Sequence, residues 1–379
     1  MNGMSEAGSP SSVLDDFLEF RNGKTSPRKV DTGAVVVFGS NGPIGRSDVS
    51  NIDGDVIVIG RVGSYCGSLH YSTGQCWVTD NAIACTAKHG EDARFWYYAL
   101  QALGLNGRSS GSGQPLLNQK VLGQIRFSPP APRERSAIAA VLGVLDDKIA
   151  ANTKIAQTAD DLAVASFHHA ARGATYTGET FADVAKVSGG GTPSTKVPNY
   201  WGGDISWATP TDITALAGPY LESTSRTITE EGLVACSSEL FAPGAILMTS
   251  RATIGAFAVA QVPTAVNQGF IVVEPKDETL RYWMLHDMRS RVDEFIAMAN
   301  GATFLELSRG NFKKFQIHVA EAEVMHRFGE RAAALHDSAR QALRENQALA
   351  ELRDSLLPEL MSGRLRVKDA EAAAAAAGL

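Results

Sequence analysis

Residues 128–155 read SPPAPRERSAIAAVLGVLDDKIAANTKI, and the parsing of this stretch decides the architecture. The prolines break the chain before a helix. Past them, Leu142, Ile149, Ala156 and Ala163 recur every seven residues. Ile138, Leu145, Asn152 and Ala159 recur on the same step, four positions before each of the first set. These are the two seam positions of a heptad; a helix that packs only on its own domain is the alternative reading. The pattern returns near the C-terminus. Phe328, Leu335, Ala342, Leu349 and Leu356 form one seam, with Met325, Ala332, Ala339, Asn346 and Arg353 in the companion position. The small Ala332, Ala339 and Ala342 imply close helix approach. Asn152 and Asn346 each put an amide in the seam, which costs stability but fixes register. A helix of about 37 residues is about 55 Å long.

Outward from these helices the chain is built twice. Each helix follows a globular head, and landmarks in the two heads match. Arg61 in IVIGRVGSYCG corresponds to Arg251 in ILMTSRATIG, and Asp80-Asn81 corresponds to Asn267-Gln268. GSGQPLLNQ (111–119) lies opposite GATFLELSR (301–309), and QIRFSPPAP (124–132) opposite KFQIHVAEA (314–322). A period of about 190 residues is too long for a solenoid repeat, so it marks two copies of a domain. Short β-branched runs such as AVVVF (34–38) and DVIVIG (55–60), separated by turns, with one helix at 91–104, give an α+β head. The expected layout is a head at 1–132, a helix at 133–173, a second head at 174–320, a helix at 321–365 and a disordered tail at 366–379. Residues 1–12 are Gly/Ser-rich and also read as disordered. Heads at opposite ends require the helices to pair antiparallel, about a pseudo-two-fold axis.

The chain of 379 residues carries a formal net charge of -6, which by itself argues weakly against a free-standing nucleic-acid binder. Arg21, Lys24, Arg28 and Lys29 cluster locally, as do Arg309, Lys313 and Lys314. Each cluster is either a solvated surface or a phosphate contact. Cys66, Cys76, Cys85 and Cys236 form no CxxC pair, so no metal is expected and the thiols read as reduced core residues. No secretory pattern or membrane-length apolar run is present, which leads to the expectation of a cytoplasmic protein without a membrane partner.

Catalytic motifs are absent. SGGGTPSTK (188–196) does not satisfy GxxxxGK[ST], and neither GxSxG nor HExxH occurs. His168 and His169 lack partners at ligand spacing, and the Asp pairs at 15–16, 146–147 and 160–161 read as solvated charges. The glycine-rich turn with Thr192, Ser194, Thr195 and Lys196 suits either phosphate or base contact, or is a plain turn. Arg61 and Arg251, with Asn81 and Gln268, fit base reading, since Arg pairs with guanine and Asn or Gln with adenine. They fit shared loop braces equally well. Lys24, Arg28, Lys29, Ser40, Asn41 and Tyr65 complete the DNA-contact candidates of the first head. Trp207, Thr209, Asp212 and Thr253 complete those of the second, beside Tyr200 and Thr211.

Four stretches resemble the specificity subunit of Type I restriction–modification systems. SPPAPRERSAIAAVLGVLDDKIAANTKI is similar to the family's central spacer, with Pro130-Ala131 and Glu134-Arg135 where Pro-Pro and Glu-Gln are usual. LRDSLLPELMSGRLRV (352–367) resembles its C-terminal signature. GSNGPIGRSD with IGRVGSYCGSLHYSTGQCWVTDNAI, and SGGGTPSTKVPNYWGGDISWATPTDI with ILMTSRATIGAFAVAQVPTAVNQGFI, resemble two classes of target-recognition domain. The resemblance implies two tandem target-recognition domains, each reading half of a bipartite asymmetric site in double-stranded DNA, on an antiparallel coiled-coil ruler. It also implies two docked methyltransferase subunits that methylate adenine, and restriction subunits in systems that carry them. S-adenosylmethionine, ATP and Mg would belong to those partners, with no cofactor and no catalysis in this chain. A bar of about 55 Å caps the half-site separation at about 16 base pairs, with one helical turn expected. Before its shared arginine the first head is shorter, and so is expected to lack a strand or loop. A coiled-coil scaffold with protein-binding heads is the competing reading, and predicts no salt-dependent DNA affinity. A nucleotide enzyme at SGGGTPST is the other, and predicts nucleotide-dependent stabilisation.

Overall fold

The computed structural model describes residues 12–88, 91–108, 116–301 and 305–376. The Gly/Ser-rich start up to residue 11 and parts of the 111–119 and 301–309 stretches lie outside them. The chain divides into two compact units: residues 1–149 with 348–379, and residues 150–347. The division cuts both long helices, so each unit is a head plus half of each helix rather than a head alone.

The first head has strands β1 (Leu18–Asn22), β2 (Val35–Gly39), β3 (Gly42–Ser47), β4 (Val56–Gly60), β5 (Leu69–Ser72), β6 (Cys76–Val78) and β7 (Ala82–Ala87). Helices α1 (Ala93–Leu103) and α2 (Gln119–Gly123) precede the long α3 (Pro132–Ala170). The helix expected at 91–104 is α1, opened by Asp92, whose carboxylate caps the Arg94 and Phe95 amides. One sheet has the order β1-β7-β4-β5 and a second the order β3-β2-β6. The continuous apolar run of β4 serves two cores. Ile57 and Ile59 face α1 and the long helices, while Val56 and Val58 face the smaller sheet. Alternate side chains of a strand point to opposite faces, so a strand covered on both sides needs no polar position.

The second head has strands β8 (Thr175–Thr180), β9 (Ala185–Ser188), β10 (Trp201–Ala208), β11 (Tyr220–Leu221), β12 (Thr227–Ile228), β13 (Ile246–Arg251), β14 (Thr253–Ala260), β15 (Thr264–Val266), β16 (Phe270–Pro275) and β17 (Gln316–Val319). Its helices are α4 (Phe181–Val184), α5 (Pro210–Thr214), α6 (Glu230–Ala235), α7 (Arg281–Ser290), α8 (Val292–Ala297) and α9 (Arg309–Phe312), followed by the long α10 (Ala322–Met361) and by α11 (Val367–Ala376). Its main sheet has the order β11-β14-β13-β16-β9 and a smaller one β12-β10-β15. Strand by strand this repeats the first head, down to a parallel pair in each small sheet, β2 with β6 and β10 with β15. The α+β duplication is therefore real; among the described residues the second head adds β11 to its main sheet and the pair β17-β8, where the first head has only the bridge Val13–Arg126.

The matching of individual residues needs correction by one position. Thr79 N–H donates to the Phe38 carbonyl and Asn267 N–H to the Ala208 carbonyl, at the same point of equivalent parallel pairs. Asn267 thus corresponds to Thr79, and Gln268 to Asp80. Likewise Leu117 N–H donates to the carbonyl of Arg61, whereas Leu307 N–H donates to that of Ser250. Arg61 therefore matches Ser250, and Arg251 matches Val62. A one-residue slip moves a strand side chain to the other face, so these pairs are not shared ties. A register irregularity in β13 between Met248 and Ser250 accompanies the shift.

The two long helices run antiparallel, and the seam read from the heptads is the buried one. In the unit 150–347, Asn152 Nδ2 donates to Glu345 Oε2 at 2.7 Å and Asn346 Nδ2 to Thr153 Oγ1 at 3.0 Å, while Phe167 packs on Phe328 at 5.6 Å. Ala156, Ala159, Ala339 and Ala342 are buried, with Leu335 partly so. In the other unit Ile138, Leu142, Leu145, Leu349 and Leu356 are buried in the core of the first head, and Ile149 packs against it. The acidic pairs of α3 are not merely solvated. Asp146 accepts from the Tyr98 hydroxyl at 2.5 Å and from Arg353 at 2.8 Å, Asp147 pairs with Arg94, and Asp160 takes a two-pronged bond from Arg289. Arg135, at the usual glutamine position of the spacer, is buried, pairs with Glu91 and donates to the Pro130 carbonyl.

The tail expected to be disordered is α11 over its described part. Alanine is the best helix former, and Ala370 is fully buried against the first unit's core with Val367 beside it. Gly363, at φ 69, ends α10 with its N–H on the Leu360 carbonyl. Among the described residues no helix is long and apolar enough to cross a membrane.

Candidate nucleic-acid interface

The second head gathers polar side chains where β13 turns into β14. A concavity of about 380 Å³ is lined there by Pro210, Thr211, Thr214, Arg251, Ala252, Thr253, Asn267, Gln268 and Gly269. Ala252 sits at φ 60, a left-handed conformation that costs a non-glycine residue about 1–2 kcal/mol. Its N–H is tied to the Leu305 carbonyl at 3.2 Å, which holds the turn. Arg251 is half exposed, with its Nε 2.8 Å from Glu306 Oε1. Gln268 Oε1 accepts from the Thr192 hydroxyl at 2.6 Å, so the glycine-rich turn joins the same rim. The turn is pinned from beneath: the indole N–H of Trp207 donates to the Gly191 carbonyl and that of Trp201 to the Ser194 carbonyl. Gly190 leaves no room for a side chain, since a Cβ there would lie 1.8 Å from the Val266 carbonyl oxygen. Ser194, Thr195 and Lys196 are exposed at its outer end.

Three candidates of this head are structural instead. Trp207 is buried with Ile228 and Ala265, and the Arg226 guanidinium covers its neighbour Trp201 at 3.6 Å. Thr209 and Asp212 close a reciprocal cap on α5: the carboxylate accepts from the Thr209 hydroxyl at 2.6 Å and its amide at 2.7 Å. Burial alone would raise the Asp212 carboxyl, but bonds from Thr209 and from the Ser225 amide outweigh it and hold it below the usual carboxylate range. A spacing of three from threonine to aspartate carried the cap in the sequence. Glu306 and Thr214 had no such signal, because their role depends on a fold contact distant in sequence.

In the first head most candidates meet at the end of β4. The Asp80 N–H donates to the Lys24 carbonyl, Arg61 N–H donates to the Asn81 carbonyl, and Arg61 Nη1 reaches the Asp80 carbonyl at 3.4 Å. Ser40 spends its hydroxyl on the Val62 carbonyl at 2.8 Å, which makes it a brace that places exposed Asn41 beside this rim. Tyr65 is 51% exposed in the turn after Arg61. Arg28 and Lys29 are exposed but stand apart along β3, where Arg28 carbonyl accepts from Ser47. Among the described residues no His, Cys, Asp and Glu cluster could hold a metal, and all four cysteines are free thiols.

Comparison with known proteins places this architecture. The family model of the Type I restriction modification DNA specificity domain matches twice, over residues 10–159 and 179–331. The chain belongs to that specificity family. The MjaIX specificity subunit of Methanocaldococcus jannaschii is 34% identical over 172 residues, 45% of this chain and 40% of that protein. The EcoprrI specificity subunit of Escherichia coli is 30% identical over 119 residues, 31% of this chain and 30% of that protein. These matches thus span well under half the length of the relatives. The S subunit of a Type I system from M. genitalium has the same fold, with a TM-score of 0.63 at 15% identity, covering 95% of this chain and 98% of that one. Each family match ends within a long helix, as the compact units do.

Proposed function

We propose that this chain reads a bipartite, asymmetric site in double-stranded DNA, one half with each head, for a Type I restriction–modification complex. The observation that carries the reading is the duplicated sheet topology, with different polar side chains at equivalent rims. Two copies of one scaffold with unlike contact residues suit two unlike half-sites. The adenine methylation, and any cleavage, would be done by partner subunits using S-adenosylmethionine, ATP and Mg. Ile155 and Leu162, within one unit, support a methyltransferase helix docking on α3. They are 48% and 42% exposed, lie off the buried seam, and are spaced seven positions apart, about two turns.

The test is co-expression with the cognate methyltransferase subunit in a methylation-free host, followed by genome-wide mapping of modified adenines. A two-part motif with a fixed gap is expected, and replacing residues 174–320 with another head should change one half only. A stable complex that adds no methylation would refute the reading.

A further inference from the structure

The concavity of the second head carries a statement about which base it reads; this rests on the DNA-reading function proposed above. Its two amides are oriented from within the protein. Asn267 Oδ1 accepts the backbone N–H of Gly269 at 2.8 Å. A backbone amide can only donate, so the oxygen must face it, and the NH2 group is left for a ligand. Gln268 Oε1 is taken by the Thr192 hydroxyl at 2.6 Å, again leaving NH2. Arg251 pairs with Glu306 through Nε, and its two Nη groups keep their N–H donors. Each amide oxygen keeps a second lone pair, but one is already tied to the protein, so the groups left wholly free on these three side chains are donors.

That polarity favours base edges rich in acceptors. In the major groove adenine shows an amino donor beside N7, cytosine shows an amino donor, and thymine shows one acceptor next to a methyl group. Guanine alone presents two adjacent acceptors, O6 and N7. We propose that the second head specifies a guanine through Arg251 and Gln268, with Thr192 as the positioning residue that biases Gln268 away from its usual adenine mode. An adenine would need the Gln268 oxygen to receive its N6 amino group as a second bond, beside the one from Thr192. Residue type alone suggests adenine for Gln268; the hydrogen bond from Thr192 weighs against it.

The experiment uses the assembled complex. Methylation motifs are mapped for the parent chain and for Gln268→Glu, Thr192→Val and Arg251→Gln. The parent motif should contain a guanine in the half that follows residues 174–320 in a head swap. Gln268→Glu replaces a donor with an acceptor, so preference for that guanine should fall about 5- to 150-fold and cytosine become acceptable there. Thr192→Val frees the amide, and adenine should become tolerated at the same position while the other half-site is unchanged. Arg251→Gln should relax the guanine requirement. Variants that retain the parent motif, or a second half-site without any G·C pair, would overturn the assignment while leaving the DNA-reading function standing. No methylation by the parent chain would overturn both.

Discussion

Acid should weaken the unit 150–347 through two buried histidines. His336 and His286 are 1% and 2% exposed, with their Nε2 atoms 3.0 Å apart. The Tyr220 hydroxyl lies 2.8 Å from His336 Nδ1, and Tyr282 stacks on the His336 ring at 4.4 Å. One neutral arrangement satisfies the chain: Tyr220 donates to His336 Nδ1, and His336 Nε2–H donates to His286. Protonating both rings sets N–H against N–H across the 3.0 Å contact. Burial pulls His286 down to about 3, reinforced by His336 and Arg289, and pulls His336 down to about 4. Both folded values lie below the unfolded value of about 6.5. The unfolded chain therefore takes up protons first, and stability present above about pH 6.5 is lost as pH falls. At pH 5 each histidine costs about 2 kcal/mol, so the pair costs about 4 kcal/mol relative to pH 7. That figure needs both folded values to lie well below 5. Asp160 does not confuse the window: burial raises its carboxyl, but the Arg289 bonds outweigh this and hold it below the ordinary range. Urea unfolding at pH 7, 6 and 5 measures the loss. His336→Gln keeps an acceptor for Tyr220 without titrating, and should remove about half of it. Equal losses in the parent and in His336→Gln would refute the argument.

Two further outcomes follow from the helices. Inserting one matched heptad into both α3 and α10 adds about 10 Å, so the unread gap in the methylation motif should grow by about three base pairs with both half-sites unchanged; altered half-sites would sink the ruler. Asp146→Ala removes the acceptor of Tyr98 and Arg353 inside the unit of the first head, and thermal unfolding of that unit should show a loss of about 2–4 kcal/mol.

The coiled coil was legible because a seam repeats one physical demand many times, so a single Asn152 or Arg353 does not hide it. The strands were legible as β-branched runs such as DVIVIG, but that β4 serves a core on each face came only from its packing partners. Register was not legible. Arginines after similar runs looked equivalent, yet hydrogen bonds set Arg61 against Ser250, and only backbone partners reveal a slip of one. Trp207 looked like a contact residue because aromatic side chains in turn-rich sequence serve either bases or packing; its burial against Ile228 decided for packing. The acidic pairs of α3 misled because their arginine partners lie far away in the chain, and the alanine tail because low complexity was weighed above helix propensity.

The division of the chain also sets an order of events on the ribosome. The unit 150–347 is one uninterrupted segment, so all of its core exists as soon as its last residues emerge. The other unit begins first and finishes last, because Leu349, Leu356 and Leu360 complete the packing around Ile138, Leu142 and Leu145. At about 5–20 residues per second, the apolar seam of α3 waits about 10–40 s for its partner. During synthesis the later-encoded head therefore has its full set of core residues before the earlier one does.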